Sequence, residues 1–190
     1  MQQLRDATRV AHDRIELVLP VLDPRLTRPR YVRVLEALYG FYAPLEPLCA
    51  AAAGADSPAL DLPARAKLPL LEADLGALGA TPTEIHGLPW ARQLPTVTSA
   101  SQAMGVLYVL EGATLGGQII QRQLRGSLGI DVESGAAFFV GYGARTRQMW
   151  MQFSGYLERA AGLELDDATR AAVETFETME RWLRAWLGTP

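Results

Sequence analysis

Three glycines, Gly112, Gly116 and Gly117, crowd into Leu110–Gln118, inside Ser99–Leu128, a stretch that otherwise reads as one long helix or as two helices meeting at Gly116-Gly117. Each glycine in a helix interior costs roughly 1 kcal/mol relative to alanine. A domain with a net stability of about 5–15 kcal/mol carries such a trio only for a return. Two returns are physically open: the close approach of another helix, or a flat ligand lying on bare backbone. Gly105, Gly112 and Gly116 are spaced by seven and four residues, so a continuous helix aligns them on one face, and Gly117 widens the patch sideways.

The rest of the chain reads as helix too. Leu4, Thr8, Ala11, Ile15 and Leu19 recur at three- and four-residue steps and predict a first helix closed by Pro20. A second, from about Arg30 to Ala50, carries Tyr31, Val34, Leu38, Phe41 and Leu45, with Pro44 and Pro47 expected to kink it or end it early. Residues 53–58 read as a loop, 63–79 as a helix, and 80–89 as a punctuated stretch. Helices are expected again over 143–163, and over 166–187 with Asp166 or Asp167 as N-cap. Almost no stretch alternates as a strand does. The expected architecture is all-α, one domain over residues 1–190, a length that matches the usual prior for one core.

A net charge of −3 gives no global reason to expect nucleic acid or an acidic membrane as partner. The start, Met1-Gln2-Gln3-Leu4-Arg5-Asp6, lacks the apolar stretch of a signal peptide, and no uninterrupted apolar run reaches the ~18 residues of a membrane span. The lone cysteine, Cys49, excludes an intrachain disulfide and sits among apolar residues as a buried structural thiol would. A cytoplasmic protein is expected. Gly141-Tyr142-Gly143 lacks the strand–turn–helix context of a dinucleotide site.

There are two histidines. Two do not make a zinc site, which normally takes three or four protein ligands, but one imidazole suffices as an axial ligand to a haem iron. His12 is the candidate. Glu16 lies four residues on along the same face, within reach of the imidazole, and Arg5 and Arg9 put positive charge on that side, where carboxylates of a ligand would pair with them. Spacing alone leaves open that His12, Glu16 and Arg9 are ordinary solvated surface. His86 sits in the turn-like Ile85-His86-Gly87-Leu88-Pro89.

Two segments carry a family resemblance. Leu4-Arg5-Asp6-Ala7-Thr8-Arg9-Val10-Ala11-His12-Asp13-Arg14-Ile15-Glu16 resembles the proximal helix of haem oxygenases. Leu107-Tyr108-Val109-Leu110-Glu111-Gly112-Ala113-Thr114-Leu115-Gly116-Gly117-Gln118 resembles their glycine-rich distal helix, the match being closest to the short bacterial branch associated with bacteriophytochromes. The resemblance implies an all-α fold with haem between the proximal and distal helices. His12 would be the iron ligand and Glu16 its partner, with Gly112, Gly116 and Gly117 lying over the porphyrin. Arg5 and Arg9 correspond to propionate contacts, with Arg147, or Arg145, as a further one. Phe176 stands where the family's final helix sets an aromatic against the pocket. Many members carry an acidic residue directly after the first distal glycine. This chain has Ala113 there, which leaves Thr114 and Gln118 as relay candidates.

The activity so implied is cleavage of haem to biliverdin, ferrous iron and carbon monoxide. Oxygen is the co-substrate, and an external reductant, a ferredoxin or separate reductase, supplies electrons; a biliverdin-using bacteriophytochrome is an implied partner. The alternative is a non-catalytic haem carrier or sensor. A di-iron enzyme is disfavoured because no second histidine completes paired Glu-x-x-His motifs, and a purely structural helical interaction protein is the fourth reading.

Overall fold

Apolar positions three and four apart give α1 (Gln2–Val18) one inward side, Leu4, Thr8, Ala11, Ile15 and Val18, all buried in a computed structural model that describes residues 1–53, 60–160 and 162–188. That side rests on α10 (Leu165–Leu187), whose own stripe of Ala168, Ala172, Phe176, Met179 and Leu183 is buried. The helix α10 also packs against α2 (Arg28–Ala53) and α6 (Ala100–Gly112), so it is the hub of the molecule. Between α2 and α6 lie α3 (Leu62–Arg65), α4 (Leu68–Ala77) and α5 (Pro82–His86). After α6 come α7 (Gly117–Leu128), α8 (Ala137–Val140) and α9 (Thr146–Arg159). No strand occurs among the described residues. From Gly54 onward, the loop expected at 53–58 lies outside them.

The two prolines do not break α2. Proline at position 44 has no N–H to give the carbonyl of Gly40, one turn back, and that carbonyl instead accepts from Ala91 N at 2.8 Å. The orphan acceptor is thus satisfied from a distant loop, and the helix runs 26 residues from Arg28 to Ala53. The same spot explains Gly40: a Cβ there would stand 2.6 Å from Pro89 O and 2.7 Å from the Trp182 ring. Trp182 in turn donates its Nε1–H to Ala37 O at 2.7 Å. Cys49 is buried as expected, and burial pushes its thiol up to about 12.

Ser99–Leu128 resolves into the second of its two readings. The helix α6 ends at Gly112, a 3-10 turn spans Ala113–Gly116, and α7 starts at Gly117. By length and composition alone Ala100–Leu128 would cross a membrane, but more than half of its apolar window is buried inside the protein, as in a core helix. Neither Asp166 nor Asp167 caps α10. The helix starts one residue earlier with Glu164 in the N-cap position, and Asp166 in the first turn accepts from Gln3 Nε2 at 2.8 Å.

Candidate functional site

With the inward side of α1 taken up by the core, Arg5, Arg9, His12 and Glu16, stepping by four, three and four residues, share the exposed side. The imidazole Nδ1 of His12 lies 3.8 Å from Glu16 Oε1 and 3.9 Å from Asp13 Oδ1. Those separations are electrostatic contacts rather than hydrogen bonds. A carboxylate on the Nδ1 side favours the tautomer with its proton there and its lone pair on Nε2. Behind the imidazole stands Phe176 of α10, the two rings meeting edge to face at 5.9 Å and 73°. Phe176 is buried, whereas the His12 side chain is 55% exposed. Arg5 and Arg9 form no ion pair with any described residue. The donor atoms of His12, Asp13 and Glu16 lie within 4.8 Å of one another. Such exposed carboxylates commonly stand without an ion, and a single accessible imidazole nitrogen suits the iron of a haem.

The glycines divide by role. A Cβ on Gly105 would stand 2.0 Å from Ala168 O, and one on Gly117 would stand 1.9 Å from Phe139 O. These two glycines serve close helix packing, α6 on α10 and α7 on α8. Gly112 has only the Trp150 ring before it, at 3.8 Å, and a Cβ on Gly116 would meet nothing within 4 Å. Open backbone surface on the distal segment is therefore at Gly116, while Gly112 lies under the Trp150 ring. Ala113 and Gln118 are exposed, and Thr114 is buried with its hydroxyl donated to Glu111 O at 2.7 Å.

Arg147 lies on α9, lining an open groove of about 590 Å³ with Ala144, Gln148, Met151, Gln152 and Arg159. Trp150, facing Gly112, belongs to the same helix. His12, Glu16 and Phe176 are thus brought together, with Arg5 and Arg9 along the same face. Arg147 shares its helix with the ring that covers Gly112, and α10 packs against both α1 and α6. His86 ends α5 near Glu72, 3.6 Å away, and has no part in this arrangement.

Sequence reasoning missed a buried polar cluster at the end of α6. Glu111, 2% exposed, accepts from Lys67 Nζ at 2.8 Å and from the Tyr142 hydroxyl at 2.5 Å, and pairs with Arg65. Burial lowers the Lys67 ammonium against the opposing pull of Glu111. Burial, with Glu111 behind it, raises the Tyr142 phenol. The sequence carries one signal of it, since a carboxylate inside the apolar run Leu107–Gly112 has to find a partner if it is buried.

A histidine-bearing helix and a glycine-broken helix joined through a common core helix define an all-α haem-oxygenase-type fold. The structure matches that of an NO- and CO-bound heme oxygenase from Neisseria meningitidis with a TM-score of 0.79 and 20% sequence identity, covering 100% of this chain and 92% of that one. The sequence model of the family described as heme oxygenase matches residues 1–185, and the chain belongs to the heme oxygenase family. No curated protein matches it. Family and fold together support haem as the bound substrate and haem degradation as the general activity.

Proposed function

We propose that this chain, as one domain over residues 1–190, cleaves haem oxidatively to biliverdin, ferrous iron and carbon monoxide, using oxygen and electrons from a ferredoxin or separate reductase. The observation that carries this reading is the face of α1. It presents an accessible imidazole with carboxylates on its Nδ1 side and a buried aromatic behind it, beside two arginines without ion pairs.

Bound haem supplies the iron at which oxygen is activated and the ring that is cleaved. His12 holds the iron through Nε2, and Glu16 keeps the imidazole oriented. Arg5 and Arg9 pair with propionates in the bidentate fashion that guanidinium groups favour, and Arg147 is the further cation. Phe176 backs the imidazole and limits its tilt. On the other wall Gly116 admits the flat ring against open backbone and Gly112 does so at the edge of the Trp150 ring, while Gly117 keeps α7 tight on α8 so that the wall does not yield. Restricting how the reactants meet is a large source of rate and selectivity. Ala113 neither donates nor accepts a proton. The Thr114 hydroxyl is already donated to Glu111 O and acts only as an acceptor, so the exposed Gln118 side chain is the remaining relay candidate on this segment.

A bacteriophytochrome that uses the biliverdin belongs to the same reading, on the strength of the two motifs, and a cytoplasmic location goes with it. The second reading, a haem carrier or sensor, is favoured by Ala113. The deciding experiment adds haemin to the purified protein, records its spectrum, and then supplies oxygen with ferredoxin and its reductase. Loss of the haem bands with appearance of biliverdin and released carbon monoxide is the expected result. Bound haem that survives demonstrable reduction would establish the carrier, and failure to bind haemin would remove both readings.

A further inference from the structure

The buried cluster at the end of α6 has no part in the reading above, yet it joins the elements that build the distal wall. Through Glu111 it holds three segments. The stretch leading into α4 arrives with Arg65 and Lys67. The turn before α9 arrives with Tyr142, set between Gly141 at φ +56° and Gly143 at φ +57°, conformations that glycine adopts freely. The third is α9 itself, because Arg65 Nη1 and Nη2 both lie 3.3 Å from Met149 O, the residue before the tryptophan that faces Gly112.

Each member is held more than once. Arg65 donates Nε–H to Leu60 O at 2.6 Å, and its guanidinium carbon stands 5.9 Å from the centre of the Phe153 ring. Lys67 Nζ also donates to Arg65 O and to the Tyr142 hydroxyl, each at 2.6 Å, while Glu46 accepts from the backbone N of Lys67 at 2.6 Å. Charges buried in this way are weak contributors to stability, since apolar residues of similar volume commonly do as well or better, and fixing a register is their best-attested use. The register fixed here is that of α9 on the break between α6 and α7.

Resting on the haem reading, we propose that Glu111, Arg65, Lys67 and Tyr142 are positioning residues that hold α9 in register, with Trp150 over Gly112 and Arg147 on the same helix, and so determine how haem is seated, and with it which edge of the ring is cleaved. A shift of α9 along its axis would move the aromatic cover of Gly112 and the Arg147 cation together, because both ride on one helix. None of the four acts on the substrate directly. The seating of haem is the quantity they control.

Tyr142→Phe tests this with one hydroxyl removed and the ring and both ion pairs of Glu111 kept. With haemin as the probe, the expected results are a changed circular dichroism in the Soret band, haemin transfer to apomyoglobin faster by about tenfold, the scale of one lost buried hydrogen bond, and a second biliverdin isomer on turnover. A lowered melting midpoint with Soret dichroism, transfer rate and isomer all as in the wild type would overturn the proposal and reduce the cluster to a stability element. Glu111→Gln/Lys67→Met, which removes one charge of each sign, is expected to change the same signatures further; wild-type signatures in that folded variant would also overturn the proposal. Wild-type protein that takes up no haemin would bring down the haem reading itself, and this proposal with it. Normal wild-type turnover with silent variants would bring down this proposal alone.

Discussion

On the imidazole of His12 the two nitrogens have different surroundings, carboxylates near Nδ1 and no partner on Nε2 among the described residues. His12→Ala is therefore expected to abolish the axial-histidine spectrum of the haemin complex, while Glu16→Ala alters the spectrum without preventing uptake; an unchanged spectrum in His12→Ala would reject the ligand assignment. A second residue governs pH dependence. Asp74, 1% exposed, accepts from Ala137 N at 2.7 Å and Phe138 N at 2.8 Å, yet burial outweighs those bonds and pushes its carboxyl up to about 6. Between its usual range near 4 and about 6 the folded protein binds a proton that the unfolded chain has released, so stability falls as pH rises through that window and this contribution is flat above it. The shift corresponds to a loss on the order of 3 kcal/mol. Between pH 4.5 and pH 7 urea unfolding is expected to show about 2 kcal/mol of that component in the wild type and not in Asp74→Asn, and equal pH slopes in the two proteins would contradict it.

At the scale of the element, the break in the distal segment separates two adjacent glycines by what a side chain would meet. Gly117→Ala would press a methyl group into Phe139 O and is expected to destabilise the fold by about 2–3 kcal/mol, the range of core overpacking. Gly116→Ala meets nothing, in a backbone conformation that alanine adopts, and is expected to be neutral or to stabilise by about 0.5–1 kcal/mol through the unfolded chain. Gly116→Phe should leave melting near wild type and block haemin uptake; unimpaired uptake would remove Gly116 from the haem wall. The presence of these elements was legible because α1 and α10 declare their buried faces at three- and four-residue spacing. The continuity of α2 was not, since the acceptor orphaned by Pro44 is satisfied by Ala91, far away in sequence. The split among the glycines was equally hidden, because packing space is a property of the neighbouring helix. That Arg5, Arg9, His12 and Glu16 share one face of α1 was legible from their spacing, whereas the Asp13 carboxylate beside the imidazole was not. The Glu111 cluster was not, since its partners stand 46, 44 and 31 positions away and no local pattern pairs them.

For the molecule as a whole, the buried core runs through α1, α2, α6 and α10 without enlisting His12, Arg5 or Arg9. The apoprotein is therefore expected to fold and melt as one cooperative unit before any haem binds. Haemin bound only to the folded state then adds stability by mass action, about 2.7 kcal/mol at a free concentration one hundred times Kd. For a chain of this size that is a rise of about 5–10 °C in melting midpoint. Arg5 and Arg9 are exposed and without ion pairs among the described residues, so replacing both by alanine should leave the apoprotein midpoint where it is. If each contributes up to about 1 kcal/mol toward propionates, as exposed pairs do, Kd rises by up to about thirtyfold. At the same haemin concentration the added stability then falls to about 0.9 kcal/mol, and the rise in midpoint to about 2–3 °C. Thermal melts of the wild type and the double variant, each with and without haemin, measure both quantities together. An undiminished haemin shift in the double variant would place the propionates elsewhere, and a lowered apoprotein midpoint would mean that the two arginines belong to the fold rather than to the ligand.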